Sequence, residues 1–304
     1  MKHYFSHGKL LITGEYLVLD GAQALAIPTK YGQSLEIETI PESSIYWESI
    51  DLNGSIWFKT EIKIAPNGDL KSAQNDVVTE RLIEIFNAIK TQKPDFFGIE
   101  GGYSIKTVLD FPKNWGLGTS STLINNLSNW ADINAFKLLD LTFGGSGYDI
   151  ACAQNDGPII YKTIPKGQPE VETTPFNPIF KEDLYFIHLN KKQNSRDGIA
   201  YYRAQQKEAL KDVILEINAI TSKMVSCRDL NEFQDLMDKH ETIIANITNQ
   251  TPVKEQLFKD FNGSIKSLGA WGGDFIMAAC DTNPTNYFTN KGFETIIPYS
   301  AMVL

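Results

Sequence analysis

The chain has 304 residues, 42% of them hydrophobic and 21% charged, an ordinary globular composition with room for two modest domains or one large one. Lys and Arg number 28 against 37 Asp and Glu, a net charge of −9 that argues against nucleic acid or an anionic membrane as the main partner. There is no signal-peptide pattern at the start and no apolar run of membrane-spanning length, so the expected location is the cytoplasm.

In chain order, residues 10–19, 24–29, 35–40 and 55–58 read as strands, the third with strict alternation in Leu35-Glu-Ile-Glu-Thr-Ile40, and together they predict an antiparallel meander. Asn75 and Asp76 then precede Val78, Leu82, Ile85, Phe86 and Ile89 at helical spacing, which predicts a capped helix ending before Pro94. Residues 102–109 read as a strand. Residues 119–131, with Leu123, Ile124, Leu127 and Trp130 on one face, read as a second helix, and 157–161 returns as a strand. The stretch 165–178 carries Pro165, Gly167, Pro169, Pro175 and Pro178 and is the expected linker between a domain at 1–164 and another at 179–304. Beyond it come a strand at 184–189 and two long amphipathic helices, one with Leu210, Val213, Ile217, Ile220 and Met224, the other with Leu230, Phe233, Met237, His240 and Ile244. A strand, glycine loop and strand over 264–280, a short helix after Pro284 and a strand near 295–297 complete an α+β layer. Cys152, Cys227 and Cys280 lie far apart among apolar neighbours, and the four histidines lack metal-ligand spacing, so core thiols and no structural metal are expected.

Three glycine-rich turns carry the chemistry. Gly116, Leu117, Gly118, Thr119, Ser120 and Ser121 feed the 119–131 helix, and a helix N-terminus offers unsatisfied N–H groups and the positive end of its dipole. Such a loop makes an anion site without net positive charge, although its spacing is neither that of a Walker loop nor that of a dinucleotide fingerprint. The second turn, GAWGGD, lies between two apolar strands, and is either a hairpin or a loop closing over phosphates. The third, GGSGYD, sets Asp149 between an open turn and the apolar run from Ile150. A helix N-cap and a general base facing a cleft are both open readings of that carboxylate.

Together HGKLLITGEYLVL, GLGTSS, GGSGYD and GAWGGD, in this order, resemble the GHMP superfamily of small-molecule kinases over most of the chain. The details are most similar to phosphomevalonate kinases: Gly8-Lys9-Leu10 with Gly14-Glu15-Tyr16, the turn from Gly145 to Asp149, and the loop from Gly269 to Asp274. The resemblance implies an α+β, two-lobed GHMP kinase fold, with an N-terminal lobe like ribosomal protein S5 domain 2 and a ferredoxin-like C-terminal lobe. It implies phosphoryl transfer from ATP, with Mg²⁺, to a small acceptor of the mevalonate route, mevalonate or phosphomevalonate. Asp149 would then face the acceptor hydroxyl as base or electrostatic partner, and Lys9 would stabilise charge on the transferred group. Gly116, Leu117, Gly118, Thr119, Ser120 and Ser121 would bind the nucleotide, and Gly269, Ala270, Gly272 and Gly273 its phosphates. Glu15, Tyr16, Ser146, Gly147, Lys192, Ser195 and Arg196 would meet the substrate. The interval from Ser120 to Asp149 is shorter than is usual in the superfamily, which trims a segment that normally supplies a Mg²⁺ ligand. Ser120, with Asp140 as a substitute, is the expected metal contact. Trp115 and Trp271 depart from the small residues common at their positions, and could narrow the site or stack on adenine. A sugar or homoserine kinase, and a catalytically impaired member that binds a nucleotide or metabolite, are the alternatives.

Overall fold

The computed structural model describes residues 1–97, 101–193, 195–205 and 210–304. Strands β1 (Lys2–Leu11), β2 (Ala24–Ile40), β3 (Ser44–Ile50), β4 (Ile56–Ile64) and β5 (Leu70–Lys71) precede helix α1 (Val77–Gln92). Strand β6 (Gly102–Leu109), helices α2 (Thr119–Ala131), α3 (Ala135–Thr142) and α4 (Tyr148–Ala153), and strands β7 (Ile159–Lys162) and β8 (Glu170–Thr173) follow. Then come β9 (Leu184–His188), α5 (Ser195–Ala204), α6 (Leu210–Ser226), α7 (Leu230–Thr248), α8 (Val253–Leu257), β10 (Ser264–Ser267), β11 (Phe275–Ala279), α9 (Thr285–Asn290), β12 (Ile296–Pro298) and α10 (Tyr299–Met302). Among the described residues no helix is long and apolar enough to cross a membrane.

Helix α1 starts as the sequence predicts, because Asp76 accepts hydrogen bonds from the N–H groups of Val78 and Thr79 while Leu82, Ile85, Phe86 and Ile89 are buried. Three stretches differ from expectation. The apolar run 10–19 is not one strand: β1 ends at Leu11, and the chain turns through Gly14 (φ 85°) and Tyr16 (φ 61°) into a 3-10 turn, Leu17–Asp20. Stretches 24–29 and 35–40 are one strand, β2, because Gly32 stays in the strand where a side chain could not: a Cβ there would stand 2.4 Å from both Phe5 Cζ and Ser6 O. The proline-bearing stretch 165–178 contains β8, which pairs with β7 in register Tyr161↔Val171, so it is not irregular throughout.

The chain forms two compact units drawn from interleaved stretches. One comprises Met1–Gly8, Tyr31–Lys113 and Gly118–Gln154; its strands run in the order β5, β4, β3, β6, β2, antiparallel except for the parallel β3–β6 pair. Its core gathers Leu35, Ile37, Trp47, Phe86, Ile124 and Leu127, with Trp130 at its margin. The other comprises Lys9–Lys30, Asn114–Leu117 and Asn155–Leu304, and holds an antiparallel sheet in the order β10, β11, β9, β12. Helix α7 packs on β10, and α6 on α7.

Candidate active site

In the unit that contains α2, Gly118 (φ 96°) is the N-cap and contributes no side-chain bond, so the first turn of α2 keeps open backbone donors. Thr119 is half-buried there, and the Ser120 side chain is exposed, whereas Ser121 is buried and its hydroxyl donates to Gly118 O at 2.8 Å. Beside the apolar Ile124 and Leu127, α2 buries two asparagines. Asn126 Oδ1 accepts from Ser6 Oγ at 2.7 Å; Asn125 Nδ2 donates to Ser6 Oγ at 2.9 Å and to Ala153 O at 3.3 Å. Gln154 Nε2 donates to Asn125 Oδ1 at 3.1 Å. These bonds tie the C-terminal end of α4 to α2, and α4 is the helix that carries Asp149.

Helix α4 is capped by Gly147 (φ 85°), not by Asp149, which stands inside the first turn. The N-cap reading of Asp149 is therefore replaced by another: a half-buried carboxylate at the positive end of a short helix, accepting from the N–H of Ile150 at 3.2 Å. Ser146 is half-buried and Gly147 buried beside it.

In the unit that contains β1's last residues, Lys9 is half-buried. Its Nζ donates to Gly116 O at 2.9 Å, and its backbone N–H to Leu117 O at 2.9 Å. Gly116 (φ +67°) has no room for a side chain, because a Cβ would stand 2.3 Å from the carboxyl carbon of Asp274. Asp274 had not been singled out as a site residue by its motif. Its Oδ1 accepts from the N–H of Gln193 at 3.2 Å. Burial raises its pKa, and the charge of Lys9 opposes the rise, with His188 and Lys192 acting in the same direction as Lys9.

Glu15, expected at the substrate, is fully buried and ion-paired with the equally buried Lys266. Gly14 N–H donates to His240 Nε2 at 3.0 Å, so that nitrogen presents a lone pair. Burial, reinforced by the Lys266 charge, holds the imidazole neutral, well below its ordinary 6.5. Glu15 Oε2 lies 3.3 Å from the same nitrogen and has no hydrogen-bond partner among the described residues. Burial raises Glu15 from 4.5 to about 7 against the pull of Lys266. Glu241, itself raised by burial, accepts from the N–H of Ser267 at 3.0 Å and from its hydroxyl at 2.7 Å, at the residue where β10 gives way to the glycine loop.

Tyr16 sits above this network in a γ-turn of the rarer, positive-φ hand (φ 61°, ψ −47°), closed by Leu17 N–H to Glu15 O at 2.6 Å. It is nearly buried: its hydroxyl accepts from the N–H of Trp271 at 3.2 Å, and its ring stacks on Tyr202 with centroids 5.3 Å apart. Tyr202 in turn donates to Asp20, which fixes α5 to the 3-10 turn. In the GAWGGD loop Ala270 and Trp271 are buried, whereas a Cβ at Gly269 or Gly272 would meet no atom within 4 Å. Trp271 thus packs as a buried residue. Trp115 is half-buried and stands edge-on to Phe275, centroids 5.4 Å apart. Lys192 and Arg196 are exposed, and Ser195 opens α5 with its side chain outside the described residues.

Among the described residues no group of three or more His, Cys, Asp or Glu side chains could hold a metal ion. A Mg²⁺ carried on phosphates takes most of its ligands from them and from water, and needs only one or two protein oxygens. The exposed Ser120 hydroxyl fits that need; Asp140 is exposed on α3 and belongs to no such group among the described residues.

No protein-family model matches the chain. A mevalonate kinase of Methanocaldococcus jannaschii is 24% identical over 293 residues, 88% of each chain. The fold is shared with phosphomevalonate kinase of Streptococcus pneumoniae, solved with phosphomevalonate and AMPPNP, at a TM-score of 0.66 and 16% identity over 100% of this chain and 98% of that one. Galactokinase of Lactococcus lactis, solved with galactose, gives 0.66 and 12% identity over 95% and 88%. The two-sheet α+β architecture is that of the GHMP superfamily of small-molecule kinases, and the likeness to the mevalonate kinase extends over 88% of the chain.

Proposed function

We propose that the chain transfers the terminal phosphoryl group of ATP to a hydroxyl of mevalonate or phosphomevalonate in the cytoplasm. The observation that carries the reading is the Lys9 ammonium fixed on the carbonyl of Gly116, in the loop that runs directly into the open first turn of α2. A protein of net charge −9 needs such a local device to hold a polyphosphate. The named activities of the curated relative and of the fold neighbour solved with phosphomevalonate and AMPPNP support the acceptor and the donor.

In the transfer, the bond from the terminal phosphorus to its bridging oxygen breaks, and a bond from the acceptor hydroxyl oxygen to that phosphorus forms. The hydroxyl proton passes to Asp149, and Lys9 offsets charge on the transferred group. Ser120 would hold Mg²⁺, which when bound neutralises phosphate charge. A sugar acceptor remains a second reading because a fold neighbour is solved with galactose.

The test is ADP release with ATP and, in turn, mevalonate, phosphomevalonate, homoserine and galactose. Acceptor-dependent release with one of the first two is expected. Release with galactose alone would move the assignment to a sugar, and no acceptor-dependent release with any of them would overturn the kinase reading.

A further inference from the structure

The position of Lys9 depends on a residue outside its own motif. Lys9 Nζ is bonded to Gly116 O, and the other side of Gly116 lies so close to Asp274 that a Cβ would stand 2.3 Å from Cγ and 2.3 Å from Oδ2. The same carboxylate accepts from Gln193 N–H, and the Asp274 backbone is pinned on both sides, its N–H to Lys191 O at 2.7 Å and its O to Leu189 N–H at 2.8 Å. Asp274 therefore stands between the 114–117 loop, on which Lys9 is bonded, and the segment after β9. We propose that Asp274 is a positioning residue for phosphoryl transfer, its carboxylate holding the Lys9 ammonium and the Gly116 loop where Lys9 acts on the transferred group. This rests on the kinase reading above.

Shape alone does not explain an aspartate here. Asp274 has φ 51°, a conformation that asparagine or glycine adopts at least as readily, and an asparagine oxygen would accept from Gln193 just as well. Burial also disfavours the charge. What aspartate adds over asparagine is a negative charge beside an ammonium.

Asp274→Asn and Asp274→Gly both suit the backbone and both remove the charge. For each, kcat should fall about 10- to 100-fold, somewhat less than for loss of a group that touches the reacting atoms, with KM for ATP changed less than about threefold. Thermal midpoints should equal or exceed that of the parent. In protein without nucleotide, Lys9 should react at least about threefold faster with trinitrobenzenesulfonate, read by peptide mass spectrometry against an exposed lysine such as Lys2, because a side chain no longer held by the carboxylate meets the reagent more freely. Parent-like kcat in both variants would overturn the proposal. So would a fall in kcat that comes with a lower thermal midpoint and unchanged Lys9 labelling, which marks a structural role. If the parent turns over no acceptor, the kinase reading fails by itself, and the labelling alone decides whether Asp274 holds Lys9: faster labelling upholds the contact and unchanged labelling overturns it.

Discussion

Gly14-Glu15-Tyr16 and Gly147-Tyr148-Asp149 are built from the same three kinds of residue, yet they treat the carboxylate in opposite ways. Glu15 is sealed with Lys266 and a neutral His240 beneath a γ-turn, whereas Asp149 stays half-buried in the first turn of a helix that starts at a glycine. A glycine next to an acid thus carries no functional meaning of its own. Glu15 meets the buried charge of Lys266 inside the core, and Asp149 stands at the positive end of the α4 dipole.

If that contrast holds, the two carboxylates will fail differently. Asp149→Asn keeps the shape and removes the charge, and kcat should fall by roughly 10²–10⁴ with the urea midpoint nearly unchanged. Full activity would put Asp149 in the same structural class as Glu15. Glu15→Ala leaves a buried ammonium short of its partner, and urea unfolding should show a loss of about 3–5 kcal/mol; a stable variant with altered substrate affinity would instead make Glu15 a contact residue.

The titration of Glu15 gives a subtler signature. Its folded pKa of about 7 lies above the ordinary 4.5, so as pH rises the unfolded chain releases this proton first. Native stability should then decline between about pH 4.5 and 7, by something on the order of 1–3 kcal/mol, and this contribution should be level on either side. Urea midpoints across that window should slope downward for the parent, and Glu15→Gln should lose the slope. Tyr16→Phe is the gentlest change: it removes the acceptor of the Trp271 N–H and should cost about 0.5–1.5 kcal/mol, with faster hydrogen exchange at that amide. Unchanged exchange would show that the hydroxyl does not hold the loop.

Strong periodicity made α1, β6, α2 and α7 readable from the residues alone, and an aspartate cap fixed the start of α1. The motifs brought out Lys9 and the Gly116 loop, which the fold does join. The ion pair of Glu15 is not legible in its motif, because its partner Lys266 is 251 positions away and no local pattern announces such a pair. Asp274 was passed over for the same reason: what gives it meaning is Gly116, in another motif. The run 10–19 failed as a strand because its apolar character suits any buried backbone, and the positive φ values at Gly14 and Tyr16 are invisible to periodicity.

The placement of the five indoles has a spectroscopic consequence. Trp47, Trp130 and Trp271 are buried and should emit toward the blue, indifferent to small solutes, while Trp57 is 39% exposed beneath the Lys113 ammonium, 4.1 Å from its ring. Trp115 alone combines partial exposure with a seat in the 114–117 loop. With Trp57 changed to phenylalanine, the iodide-quenchable part of the emission would come chiefly from Trp115, giving the Gly116 loop a built-in optical probe that requires neither an extrinsic dye nor turnover.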